Sequence, residues 1–361
     1  MNNNKRALLH LSLIPSIGPS VVEKIVQHVP ETFDFYGAGI QDFAQCGITE
    51  KVAQLIVNGL SNDELIDAEL YVMEKHGISW ITLYDDLYPS QLKTIHLPPI
   101  VLYYQGNPVW ETHNGVSLVG ARKANYYGKN AVKKIVPGLI AHNLYVASGG
   151  AYGIDTCAHK ETLDAGGATV VVLGSGLLRV YPVENTKMFQ KIIQQGGAII
   201  SSFPCMAPGL PGNFPARNRI IAGLTHMTVV VQAAQKSGSL ITAQYALEQG
   251  KSVGAIPGSI DDPLSAGCHS LLSQGAKVVT CAEDILEEYH LAKERKSVQM
   301  EIPYSADLLE DPVLFACRQP RGFEELVQIT KMEENRLKEY LFDLQLEGIV
   351  EQNFAGLWQK V

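Results

Sequence analysis

The chain has 361 residues, of which 46% are hydrophobic and 18% charged. That length suits two or three domains, and that composition excludes a disordered or collagen-like polymer. Its net charge of −8 hides an asymmetry: residues 1–117 carry 6 basic and 13 acidic side chains, residues 118–236 carry 12 and 4, and residues 237–361 carry 11 and 20.

Residues 1–75 read as a helical domain. Leu8, Leu9, Leu11, Leu13 and Ile14 precede Pro-Ser-Ile-Gly-Pro, and Val21, Val22, Ile25 and Val26 resume at helical spacing. A weaker second unit surrounds Cys46-Gly47-Ile48 and continues through Val52, Leu55, Ile56 and Val57. Residues 80–290 alternate strands, at 116–120, 144–148, 169–173, 198–202, 227–232 and 252–256, with helices at 126–142, 153–165, 185–195, 217–224 and 238–249. Continuous apolar strands separated by helices predict an α/β fold whose parallel sheet is covered on both faces. Residues 291–306 read as a linker, and residues 307–361 as three helical segments and a short pair of strands, the pattern of a winged helix.

No apolar run reaches the ~18 residues of a membrane helix. The longest, Thr169 to Leu178, is broken by Gly174 and Gly176, and the N-terminal stretch Leu8 to Ile14 is interrupted by His10 and Ser12. That stretch is read as a helix start and not as a signal segment. No two of the six cysteines lie closer than 13 positions, so the spacing predicts neither a disulfide framework nor a metal clip, and a cytoplasmic setting is expected.

The chemistry falls at strand ends, where ligands bind in such folds. Gly120 and Arg122, with Lys123 beside them, close the first strand of the alternating region. A glycine there opens the backbone to an anion, and arginine offers it a planar fork of donors. Ser148, Gly149 and Gly150 form a second small-residue loop of the kind that cradles phosphate. Asp155 and His159, four apart on the following helix, read as a helix-surface pair, with a catalytic acid/base pair as the alternative, and no nucleophile or metal cluster accompanies them. Arg217, Asn218 and Arg219 open an apolar helix after Phe214-Pro215. Either arginine could instead satisfy a buried carboxylate, although Glu184 is the one acid between 165 and 236. Phe214 reads as a stacking platform for a base or as packing. Lys236 and Ser239 mark another strand-to-helix turn. These loop tips are expected to converge, arginines inward, on one cationic trough; the +8 of residues 118–236 fits that, and lysines on a solvated helix face would account for part of it.

Several chemistries lack their signatures. The chain has no Walker loop, zinc-protease motif or nucleophile elbow, and its Gly120…Gly128 spacing is not a dinucleotide fingerprint. No cofactor or metal is expected.

In series, Val119-Gly-Ala-Arg122, Ser148-Gly-Gly-Ala-Tyr-Gly-Ile-Asp155 with His159, Val172-Leu-Gly-Ser-Gly176 with Tyr181-Pro182, Phe214-Pro-Ala-Arg-Asn-Arg-Ile-Ile-Ala-Gly-Leu224, Ser237-Gly-Ser-Leu-Ile-Thr-Ala243 and Pro257-Gly258 resemble the DprA/Smf family of DNA-processing proteins. The resemblance implies an extended Rossmann-like domain, often flanked by an N-terminal SAM-like or helix-hairpin-helix module and a C-terminal winged helix. It implies a protein that is not an enzyme: one that binds single-stranded DNA, forms a homodimer through that domain, and helps load RecA onto DNA, including DNA coated by single-strand-binding protein, in natural transformation. It assigns DNA contact to Gly120, Arg122, Ser148, Gly149, Gly150, Phe214, Arg217, Asn218 and Arg219. Departures from the family pattern are Ala121 for a serine, Ser202 and Gln232 for glutamates, His269 for an asparagine, and the absence of a lysine just before Phe214. The alternative is a nucleotide phosphoribohydrolase on a similar sheet, which would need glutamates near its glycine loop; here none occurs before Glu161.

The flanks are acidic. Ile14-Pro-Ser-Ile-Gly-Pro19 resembles a helix-hairpin-helix turn, and its surroundings favour packing or protein contact. The 307–361 region holds 6 basic and 11 acidic residues, and its expected recognition helix begins Glu333-Glu334. A protein-contact role is therefore expected there, not duplex reading.

Overall fold

The computed structural model describes residues 3–30, 32–291 and 311–361, which form two compact units divided at residue 292. The first opens with helices α1 (Asn3–Leu13), α2 (Pro19–His28), α3 (Ile40–Ala44), α4 (Glu50–Leu60) and α5 (Asp63–His76). Proline at the first position of α2 costs no hydrogen bond, because that N–H has no intrahelical partner. The helices expected over residues 1–75 share a core with the sheet: Leu8, Leu11 and Ile56 belong to the same buried cluster as Tyr103, Val171 and Phe189. Lys5 pairs with Asp85 at 2.8 Å.

The nine-stranded sheet comprises β1 (Ser79–Thr82), β2 (Val101–Gly106), β3 (Gly115–Val119), β4 (Tyr145–Ser148), β5 (Thr169–Leu173), β6 (Ala198–Ser201), β7 (Met227–Val230), β8 (Ser252–Ala255) and β9 (Lys277–Val278), in the order β1-β2-β6-β5-β4-β3-β7-β8-β9. From β6 to β9 every pairing is parallel, while β1 and β2 add an antiparallel edge. The mainly parallel Rossmann-like sheet expected from the sequence is therefore present. Strands β1 and β2 escape the sequence pattern because only the four-residue α6 lies between them, and β9 because it has two residues.

Helices α6 (Ser90–Lys93), α7 (Tyr126–Ala141), α8 (Ile154–Asp164), α9 (Thr186–Gln194), α10 (Asn213–Gly223), α11 (Gly238–Glu248), α12 (Ala266–Ser273) and α13 (Ala282–Leu286) cover the faces. Every residue of β5, Thr-Val-Val-Val-Leu, is buried, as a doubly covered parallel strand requires. Asn125 caps α7 by accepting the Gly128 N–H at 3.2 Å, and Ser237 caps α11 through the Ser239 N–H. Helix α10 begins at Asn213, four residues before the expected start at 217, because Pro215 falls in its first turn, where no backbone donor is lost.

The second unit holds α14 (Pro312–Ala316), α15 (Phe323–Thr330), α16 (Glu334–Leu346) and the antiparallel hairpin β10 (Val350–Gln352) with β11 (Trp358–Lys360). It has its own core of Val313, Leu326, Leu337, Leu341 and Val350. Asp311 caps α14 through the Val313 and Leu314 N–H groups. Apart from Leu291, the linker expected at 291–306 lies outside the described residues, as do residues 307–310 of the segment expected to follow it.

Candidate nucleic-acid interface

The chain runs from β3 outward through β4, β5 and β6, then returns to place β7 on the other side of β3. The loops leaving β3 and β7 therefore diverge at their carboxyl ends and open a crevice at this switch point. A cleft of about 640 Å³ lies there, lined by Gly120, Arg122 and Lys123 after β3, by Ala234, Ser237 and Ser239 after β7, and by Phe214, Arg217 and Asn218 from α10.

Arg122 and Lys123 are exposed, and neither has an ion-pair partner among the described residues. The Arg122 guanidinium lies 5.7 Å from the centre of the half-buried Phe214 ring. Tyr181 meets the same ring edge-on at 5.7 Å. Gly174 makes room for this aromatic pair, since a Cβ there would lie 2.9 Å from Phe214 Cδ1. The mouth thus carries two exposed cations and an aromatic surface, a combination that holds phosphate and base together.

Arg217 is the cation at the floor and is only 4% exposed. Its Nη1 donates to the Val172 carbonyl at 3.1 Å, while Nε is buried without a hydrogen-bond partner among the described residues. Burial lowers the guanidinium to about 10, against the pull of Asp155 and with the push of Arg122, so it stays charged at neutral pH. Asp155 is buried beside Arg217, both side chains lying where a Cβ on Gly149 would stand, and burial raises its carboxyl despite the Arg217 charge and the Ala151 N–H. The acid that the sequence lacked between 165 and 236 comes from α8 instead.

His159, on the same helix, is fully buried, and burial followed by the Arg217 charge pushes it down to about 3. Thr169 Oγ1 donates to the Val146 carbonyl, so His159 Nδ1 must donate to Thr169 Oγ1 at 2.7 Å. A neutral, enclosed imidazole of this kind holds α8 on β5 and is not placed for acid–base work.

The structure separates the residues that sequence reasoning grouped. Gly120, Arg122, Lys123, Phe214, Arg217, Asn218 and Ser239 meet in the cleft. Exposed Lys236 is next to Ser237 on its rim. Arg219 is turned away: its Nη1 donates to the carbonyls of His96, at 2.7 Å, and Leu97, which fixes the loop after α6. The expected convergence of all the arginines therefore holds for Arg122 and Arg217 and is corrected for Arg219. Ser148 also departs from expectation. It is the last residue of β4, fully buried, with Oγ donating to the Leu118 carbonyl at 2.6 Å, so its hydroxyl joins two strands and offers nothing to a ligand. Gly149 and Gly150 serve packing. A Cβ on Gly149 would lie 1.5 Å from Arg217 Nη1, and one on Gly150, whose φ is +66°, would strike Val171 and Phe189. Gly120 leaves space for Ile154 and the Gln232 carbonyl, and its backbone lines the cleft.

Ile241, Thr242, Pro211 and Leu264 line the cleft without having been singled out. The first two stand two and three residues beyond Ser239 in the same motif, one turn into α11, and that spacing was the available signal. Among the described residues no cluster of three or more His, Cys, Asp or Glu is arranged for a metal, and no helix is long and apolar enough to cross a membrane.

The fold and cleft define a Rossmann-like α/β protein with a cationic, aromatic-edged crevice at the carboxyl rim of its sheet. The model of the family described as DNA recombination-mediator protein A matches residues 79–290, and the chain belongs to that family. It is 43% identical over 208 residues to the DNA processing protein DprA of Streptococcus pneumoniae, covering 58% of this chain and 73% of that one. A solved structure of DNA processing protein A from the same species superposes with a TM-score of 0.70 at 33% identity, over 78% of this chain and 97% of that one. A second, from Helicobacter pylori, concerns that protein's mode of binding single-stranded DNA; it gives a TM-score of 0.53 at 27% identity, over 59% of this chain and 96% of that one.

Proposed function

We propose that the protein binds single-stranded DNA in the switch-point cleft and, without catalysing a reaction, acts as a cytoplasmic recombination mediator that helps load RecA. Phosphates lie against Arg122, Lys123 and Arg217, with Lys236 at the rim, and a base lies against Phe214. Asn218, Ser239 and Gly120 shape the walls. Incoming or SSB-coated DNA is the substrate, and the α/β unit forms the homodimer. We read residues 311–361 as a winged helix that contacts protein.

The observation that carries this reading is Arg122: an exposed guanidinium with no acidic partner among the described residues, set over an aromatic ring, with a second buried guanidinium behind it. The Helicobacter pylori protein's single-stranded DNA binding supports it. The cleft's one carboxylate, Asp155, is buried next to Arg217, which argues against a phosphoribohydrolase.

Labelled oligothymidylate titrated with wild type and Arg122→Ala at several salt concentrations tests the reading. A steep salt slope that falls by ~0.7 in the variant is expected. Equal affinity and slope would overturn it, as would release of free base from a nucleoside monophosphate.

A further inference from the structure

Outside the cleft, α7 and α8 carry a set of exposed lysines. Tyr126, the first residue of α7, is 83% exposed, three positions after Lys123. Its ring makes no hydrogen bond or ring contact among the described residues. Further along, Lys129 and Lys133 follow Tyr126 at spacings of three and seven, which puts all three on one side of the helix over about 10 Å. Lys160 of α8 joins them. The Cys157 thiol of α8 lies 3.7 Å from the Lys129 carbonyl of α7, and it is raised by burial and by Glu161 and drawn back down by Lys133, Lys129 and Lys160. Lys133 reaches Glu161 only at 3.9 Å, and Lys129 and Lys160 have no ion pair among the described residues.

This patch is continuous with the cleft. Ile154, the first residue of α8, donates its N–H to the Ala121 carbonyl, and a Cβ on Gly153 would strike the Arg122 carbonyl oxygen. The α7–α8 groove therefore begins at the loop that carries Arg122 and Lys123.

We propose that single-stranded DNA leaving the cleft runs along this groove, one base stacking on Tyr126 and the next phosphates passing Lys129, Lys133 and Lys160. This rests on the cleft reading above. An open aromatic followed by exposed lysines at a cleft mouth suits an unpaired polynucleotide, whose bases are free to stack and whose backbone needs no fixed register. Duplex DNA, with its bases already stacked, would leave Tyr126 unused.

The test uses the full chain and oligothymidylates of about six and about twenty nucleotides, the shorter filling the cleft alone. Tyr126→Ala should weaken the long oligonucleotide about fivefold or more and leave the short one unchanged. The combined Lys129→Gln, Lys133→Gln, Lys160→Gln variant should lower the long oligonucleotide's salt slope by about 2 and not the short one's. All four positions are at the surface, so folding should survive. Equal effects on both lengths, or none on the longer, overturn the groove. Arg122→Ala separates this failure from that of the cleft. If it weakens the short oligonucleotide while the groove variants do nothing to the long one, the groove falls and the cleft stands. If short-oligonucleotide affinity is intact in Arg122→Ala, both fall.

Discussion

Gly149 and Arg217 occupy one space: the guanidinium crosses the glycine so closely that a Cβ would lie 1.5 Å from Nη1. Gly149→Ala should therefore push Arg217 off the Val172 carbonyl and destabilise the first unit by ~1–3 kcal/mol, the usual penalty for overpacking a filled core. Urea unfolding measures this. Removing the obstruction in Gly149→Ala/Arg217→Ala should make the two changes non-additive; strict additivity would show that they do not compete for the same volume.

Ser148 and Arg122 have opposite expected signatures. Ser148→Ala removes a buried strand-to-strand hydrogen bond, which should cost about 1 kcal/mol of stability and leave the salt dependence of DNA binding untouched. Arg122→Ala should do the reverse, since its guanidinium is exposed. A changed salt slope in Ser148→Ala would return its hydroxyl to the phosphate site.

Phe214 offers a face to a base while it packs against Tyr181. Phe214→Ala should weaken single-stranded DNA by ~1–3 kcal/mol, with little change in salt slope, because stacking releases no counterions. Anisotropy at two ionic strengths separates this from phosphate loss. A slope change as large as that of Arg122→Ala would mean the ring acts only by positioning the arginine above it.

His159 makes stability depend on acid. Its imidazole titrates near 3 in the fold because of burial, then Arg217, and near ~6.5 when unfolded. Above ~6.5 both states are neutral there and the fold keeps its full stability. As pH falls below ~6.5 the unfolded chain takes the proton first, and stability drops by up to about 1.4 kcal/mol per pH unit until about 3. His159→Gln should flatten this contribution between about pH 6 and pH 4, read as the difference between the two proteins' unfolding curves. Parallel curves would mean that the imidazole takes up its proton at the same pH in the fold as in the unfolded chain.

Much of the architecture was legible because local signals agreed. Runs such as Thr169–Leu173 require two covered faces, and the strand-and-helix alternation requires parallel crossovers. The antiparallel edge was not legible, since β1 and β2 carry no such rhythm. Gln232, noted as a departure from the family pattern, also has a clear place. Buried, it donates to Asn125 Oδ1 at 2.8 Å and accepts the Asn125 N–H, tying the β7 end to the cap of α7 near Asp262.

By itself, the sequence determined the order of elements, the parallel sheet and the loops that carry arginine, glycine and phenylalanine, because these follow from residue type and spacing. Only the tertiary structure decided which of those side chains reach the cleft. Arg217 and Arg219 are neighbours in the chain, but two steps of a helix turn them by about 200°. One guanidinium therefore lies under the cleft, and the other holds the His96–Leu97 loop. Direction on a helix and depth at a strand end are properties of packed elements, and no motif read along the chain contains them.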